Sequence, residues 1–229
     1  MSEQRKKSIE RHSGDYVLKY EKKNDTRVSR LLRYVDLEGA DKVADFGCGN
    51  GLLMLELAGA VSEYVGIDFS PDFIAAAERK KRAFQLQNCR LLLGDINEVC
   101  AEYRGYFTKA FLLDFSEHVS DSDLFEILKS IRSSLHQDGT LYLHTPNRQF
   151  LIERMKARNF ILKQFPEHIA VRTAPENARL LQDAGFRIDR IRSLSHYQWT
   201  LKPLHLFSKL PVLGSSFVAR LMFQARPAV

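Results

Sequence analysis

Three glycines at alternate positions close the stretch Val43-Ala-Asp-Phe-Gly-Cys-Gly-Asn-Gly51, an apolar run that leads into a helix-forming segment. Glycine there lets the backbone turn tightly and come close to a ligand, whose polar atoms can use the amides of the helix start. Gly47, Gly49 and Gly51 are followed by Leu52 and Leu53, a departure from Gly-x-Gly-x-x-Gly that disfavours a dinucleotide. Asp45, inside the loop, would repel a pyrophosphate and attract a cationic amino group. Asp68 ends a second run, Val65-Gly-Ile-Asp-Phe-Ser70, where a carboxylate can accept both hydroxyls of a ribose. A third run ends at Gly94-Asp-Ile-Asn97 and offers Asp95 to an exocyclic amine. Together the acids suit a ligand with a ribose, an adenine and a positively charged amino-acid end.

A second group of chemically capable residues is Asp114-Phe-Ser-Glu117-His118. Carboxylates at this spacing, with an imidazole beside one of them, can bring hard oxygen ligands and a nitrogen to a common point next to the first ligand. A divalent cation is one reading; a helix-capping acid and a hydrogen-bonded histidine form the plainer one. Without a metal, His118 or His144 could act as general base, with structural hydrogen bonding the default for His144.

Positioning these side chains requires a parallel sheet covered on both faces, and from residue 42 short apolar runs do alternate with longer helical ones. The pattern predicts strands at Lys42–Phe46, Tyr64–Asp68, Arg90–Gly94, Lys109–Asp114 and Thr140–Thr145. Helices are predicted at Gly51–Val61, Pro71–Gln87, Asn97–Tyr103 and Asp121–His136, the second capped by Ser70 with Pro71 in its first turn. The rhythm breaks after Pro146. A helix at Ala174–Ala184 stops at Gly185, and strands at Phe186–Arg192 and Phe217–Ala225 follow without a full helix between them, which predicts an antiparallel pair at the sheet edge.

These motifs, from Lys42 to Arg192, resemble the class I S-adenosylmethionine (SAM)-dependent methyltransferases: Asp45 to Gly51 as their first motif, Asp68 as the ribose acid, Asp95 with Ile96 at the adenine. The resemblance implies an α/β, Rossmann-like sheet of seven mostly parallel strands with helices on both faces and an antiparallel last strand. It implies cofactor contacts from Arg27, Asp45, Gly47, Cys48, Gly49, Asp68, Phe69, Asp95, Ile96 and Leu113. Asp114-Phe-Ser-Glu117-His118, with His144-Thr-Pro-Asn147 and Pro166-Glu-His168 beyond, is similar to the ubiquinone-pathway O-methyltransferase branch, which carries Glu-x-x-Glu-His and binds a divalent cation with it. A site for Mg²⁺ or Zn²⁺ would then use Glu117 and His118, and less readily Asp114, one methylene short, and His168. The activity implied is methyl transfer from SAM to an oxygen of a small or lipophilic hydroxylated acceptor. Transfer to nitrogen or carbon, methylation of an RNA ribose, and cofactor binding without turnover are the alternatives. Tyr16 and Tyr20 would lie over the cofactor as a lid or simply pack.

Composition is compatible with that reading. The chain of 229 residues is 45% apolar and 27% charged, enough core for a single domain, and it has no uncharged apolar stretch long enough to span a bilayer. Cys48, Cys89 and Cys100 lack CxxC spacing, and no apolar core follows the basic start, so a reducing, cytoplasmic location is expected. Of the net charge of +6, most sits in residues 1–33, where ten Lys or Arg face five acids. Residues 1–41 are therefore expected to be a partly helical arm on a domain of residues 42–229. That arm is either solvated or a contact for acidic lipid or RNA. With no aromatic base-stacking platform evident, RNA is the weaker partner. The stretch His196–Ser216 reads as an insertion that packs at the sheet edge, caps an acceptor site or rests on a membrane surface.

Overall fold

The computed structural model describes residues 27–157, 168–211 and 213–228, and the expected alternation of strand and helix runs through them. Helix α1 (Arg27–Leu32) is followed by β1 (Lys42–Phe46), α2 (Leu52–Leu57), β2 (Glu63–Asp68), α3 (Pro71–Ala83), β3 (Cys89–Leu93), α4 (Ile96–Glu102) and β4 (Phe107–Leu113). Then come α5 (Asp121–Ser134), β5 (Leu135–Pro146), α6 (Leu151–Ala157), α7 (Ala174–Asp183), β6 (Phe186–Leu194) and β7 (Arg220–Pro227). Seven strands form a sheet in the order β3-β2-β1-β4-β5-β7-β6. Tyr16, Tyr20 and most of the basic arm lie outside the described residues.

The chain divides into two compact units. One contains the described residues up to Phe111 together with Ser133–Gly139. Here β1 pairs in parallel with β2 and with β4, and β2 with β3, so that Ala44 lies opposite both Val65 and Ala110. The carboxyl ends of these strands therefore share one edge. Val43, Ala44, Phe46, Val65 and Ile67 are fully buried, as expected of strands covered on both faces. Each such large side chain contributes roughly 1.5–3 kcal/mol by leaving water.

Ser70 caps α3 as expected, accepting from the Phe73 amide at 3.4 Å with Pro71 in the first turn. The helix stops at Ala83 rather than Gln87 because Gln85 adopts φ 54° and Leu86 donates back to the Lys81 carbonyl, a left-handed stop. Helix α2 is also shorter than expected, closing in a turn in which Ala60 N–H donates to the Leu57 carbonyl.

The other unit holds Leu112–Arg132 and the chain from Thr140 onward. Strand β7 runs antiparallel to both β5 and β6, with His144 opposite Met222 and a register irregularity between Ile188 and Arg190. This is the antiparallel edge read from the sequence. Thr173 and Glu176 form a reciprocal cap on α7. Between β6 and β7 the chain makes 3₁₀ turns at Trp199–Lys209 and Gly214–Phe217 in place of a long helix. Among the described residues no helix is long and apolar enough to cross a membrane.

Candidate active site

The glycine loop belongs to the first unit, and its shape follows from backbone conformations that residues with a side chain rarely adopt. Gly47, Gly49 and Gly51 have φ of 77°, 52° and 76°. A Cβ on Gly51 would meet Met54 Cε at 3.0 Å and Ala77 Cβ at 3.2 Å, so the loop is seated on α2 and α3. Four amides of the loop itself are spent within the protein. Gly47 and Cys48 N–H both donate to the Ile67 carbonyl at 2.8 and 3.0 Å, Gly51 N–H donates to the Cys48 carbonyl, and Gly49 N–H donates to Asp68 Oδ2 at 2.9 Å. Those bonds fasten the loop to the end of β2.

Asp68 is the hinge of this arrangement. Its other oxygen accepts from Ser70 N–H at 2.9 Å, so two backbone amides aim a carboxylate that has room for about four hydrogen bonds. Asp45 turns inward: Tyr64 Oη donates to it at 2.6 Å, and burial pushes its pKa up to about 7 against that hydrogen bond. Cys48 is buried, its sulfur 3.0 Å from where a Cβ on Gly66 would stand, and its thiol is pushed well up by burial. Asp95 accepts from Asn97 N–H at 2.8 Å as the cap of α4, beside buried Ile96. Phe69 and Arg27 are half-buried in the same unit, whereas Leu113 ends β4 in the second.

The second constellation is built from side chains and lies in the second unit. Asp114 sits just past β4 with φ 51°, a strained value for a residue with a side chain. Its Oδ1 accepts from His144 Nδ1 at 2.9 Å and from Arg220 Nη1 at 2.8 Å. With the Nδ1 proton facing that carboxylate, His144 Nε2 accepts from Tyr197 Oη at 2.8 Å. Arg220 also lies over the Tyr197 ring, 5.1 Å from its centre. His144 is fully buried within this chain of contacts.

Glu117 and His118 occupy a 3₁₀ turn, Ser116–His118, and His168 is brought to them by Ile169 and Ala170 N–H, which donate to the Glu117 carbonyl at 3.0 and 3.1 Å. Ligand atoms of Glu117, His118 and His168 lie within 4.8 Å of one another. Asp114 stands outside this set, its carboxylate committed to His144 and Arg220. Burial, then the nearby Asp114 charge, pushes Glu117 up to about 8, although Thr145 Oγ1 donates to it at 3.3 Å. Burial, then the neighbouring His118, pushes His168 down to about 4, so its imidazole is neutral. One carboxylate oxygen and two imidazole nitrogens fit a divalent cation such as Zn²⁺. Buried Arg172 supports the turn, donating to Asp121 and to the carbonyls of Ser116, Val119 and Ala170. A cavity of about 390 Å³ in this unit is lined by His168, Glu153, Arg148 and Arg172, among others.

Sequence reasoning missed Tyr197, Arg220, Thr145 and Arg172. Tyr197 and Arg220 lie 53 and 106 residues from the partners they hold, and no local periodicity announces such pairs.

Residues 16–191 match the family described as Methyltransferase domain. The ubiquinone biosynthesis O-methyltransferase of Xanthomonas campestris pv. campestris (strain B100) is 30% identical over 125 residues, which cover 55% of this chain and 51% of that protein. Its counterpart in Xanthomonas euvesicatoria pv. vesicatoria is 26% identical over 183 residues, 77% of this chain and 74% of that protein. The chain thus spans about half the length of the first of these relatives. In fold it is similar to a SAM-dependent methyltransferase of Aquifex aeolicus, with a TM-score of 0.68 at 15% identity over 93% of this chain and 97% of that one. A SAM-dependent methyltransferase of Methanosarcina mazei gives 0.66 at 19% identity, over 87% and 97%.

Proposed function

We infer that this chain, which belongs to the methyltransferase-domain family, transfers the methyl group of SAM to an oxygen of a small or lipophilic hydroxylated acceptor. The observation that carries the reading is the bond between Gly49 N–H and Asp68, which makes the glycine loop and the ribose acid one rigid element. Asp68, oriented by two amides, suits the ribose hydroxyls, and Asp95 and Ile96 suit the adenine. The relatives named as O-methyltransferases support oxygen as the methylated atom.

SAM supplies a methyl group already activated on a sulfonium, so the protein's task is to present an acceptor oxygen in line and to take up its proton. A phenol with a pKa near 10 is mostly protonated at neutral pH. Glu117, His118 and His168 would hold a divalent cation, which when bound supplies Lewis acidity that lowers the pKa of a coordinated hydroxyl. Neutral His168 is ready to ligate, whereas Glu117 must lose its proton first. His144, buried with Nδ1 on Asp114 and Nε2 on Tyr197, is a structural group that holds Tyr197 rather than a base in reach of the acceptor.

The test is methyl transfer from labelled SAM to a panel of catechols, polyprenyl phenols, sugars and RNA, with and without EDTA. Label on a phenolic oxygen, lost on chelation and restored by Zn²⁺ or Mg²⁺, is the expected result. Full activity in EDTA would remove the metal from the mechanism, and label on nitrogen or carbon alone would overturn O-transfer.

A further inference from the structure

We propose that the turn region between β6 and β7 is a docking surface for an anionic lipid bilayer. Leu206, Phe207, Leu210 and Leu213 are 81, 49, 46 and 60% exposed, although they fall within eight consecutive residues. Scattered exposed leucines are ordinary; a cluster of this kind on one short segment marks an interaction surface.

The cluster is held in shape rather than frayed. Leu210 N–H donates to the Phe207 carbonyl and Gly214 N–H to the Leu210 carbonyl, each at about 3 Å. Phe207 packs on Phe217 at 5.4 Å between ring centres. A Cβ on Gly214 would collide with the Ser208 carbonyl oxygen, so the two 3₁₀ turns touch through backbone. The apolar side chains thus face outward from a fixed bend, and covering them requires no refolding of it.

Charge decides what covers them. From residue 190 to the end the sequence contains no Asp or Glu, while Lys202 precedes the exposed apolar residues and Lys209 lies among them, both exposed. A second copy of this chain is a poor occupant, because a two-fold contact would set Lys202 and Lys209 against their own copies with no acid in the segment to pair them. RNA is no better suited, since three of the four exposed apolar side chains are aliphatic and offer bases no stacking face. An anionic membrane interface answers both features, taking the leucines and phenylalanine at the acyl boundary and the lysines at the head groups. The contact is superficial, consistent with the absence of a membrane-crossing helix among the described residues.

The experiment is co-sedimentation of the full chain with phosphatidylcholine vesicles and with vesicles of phosphatidylcholine mixed with phosphatidylglycerol. Binding to the mixed vesicles only, weakened by salt, is expected, as is a loss of at least about tenfold in partition for the double variant Leu206→Glu, Leu213→Glu. Both positions are exposed, and unchanged SAM binding and thermal transition would show that the variant folds. Four results would overturn the proposal: no partition to either vesicle, equal partition to both, undiminished partition of the double variant, or a dimer in sedimentation that the same substitutions dissolve. None of these outcomes depends on which acceptor the enzyme methylates.

Discussion

The glycine loop and the Glu117 cluster solve the problem of placing polar groups in opposite ways. Around the loop, backbone does most of the work: four of its amides are spent on the carbonyls of Ile67 and Cys48 and on Asp68, and that carboxylate is itself aimed by the amides of Gly49 and Ser70. In the Glu117 cluster, side chains hold side chains, and burial works against ionisation, so that Glu117 is held up to about 8 and His168 down to about 4. The first is a rigid mould that accepts a ligand's shape. The second is a set of buried ligand-type side chains held at a cost in stability, which a bound cation would offset.

The sharpest way to break this contrast is Asp68→Ala. It strips the acceptor from Gly49 and Ser70 N–H and is expected to weaken SAM binding about a hundredfold, with zinc affinity unchanged. Calorimetry with each ligand separates the two effects. Glu117→Gln should do the reverse, lowering zinc affinity and metal-dependent transfer some ten- to hundredfold while leaving SAM affinity intact. Zinc titration followed by the transfer assay reads it. Loss of both affinities in either variant would mean that the two regions are not independent.

Gly51→Ala isolates the mould itself. At φ 76°, with Met54 and Ala77 within 3.2 Å of the added methyl, it should cost about 1–3 kcal/mol, seen as a lowered midpoint in denaturant. A last test is the pH dependence of stability. Asp45 holds its proton to a pKa of about 7 when folded against 3.8 otherwise, and Glu117 to about 8 against 4.5. The folded chain therefore binds more protons than the unfolded one between those values, and stability falls as pH rises through them. His168 acts in the opposite sense, losing stability as pH falls from 6.5 toward 4. Asp45→Asn should flatten the decline between about pH 4 and 7 and leave that of Glu117, while Glu117→Gln removes the part reaching to about 8. Thermal melts across pH distinguish the two.

Most of the first region was legible from sequence because its determinants are local. The alternate glycines, Asp68 at a strand end and Ser70 before Pro71 each act within a few residues, and the strands of the first unit fall where apolar runs predict them. What escaped there was the bonding of the loop's own amides to the end of β2, which depends on how closely β1 and β2 are paired. The second region was legible only in its local pair, Glu117 and His118. His168 arrives because a distant backbone donates to the Glu117 carbonyl, and Asp114 is diverted to His144 by β5 and to Arg220 by β7. Side-chain sites assembled by long-range pairing leave little periodic trace.

Whether the loop and Asp68 form a SAM site is tested most directly by calorimetric titration with SAM and with its demethylated product, on the unaltered chain and on Asp68→Ala. Saturable binding of both ligands to the unaltered chain and its loss in the variant is the predicted result. No heat with either, alongside tight binding of a nicotinamide dinucleotide, would contradict it.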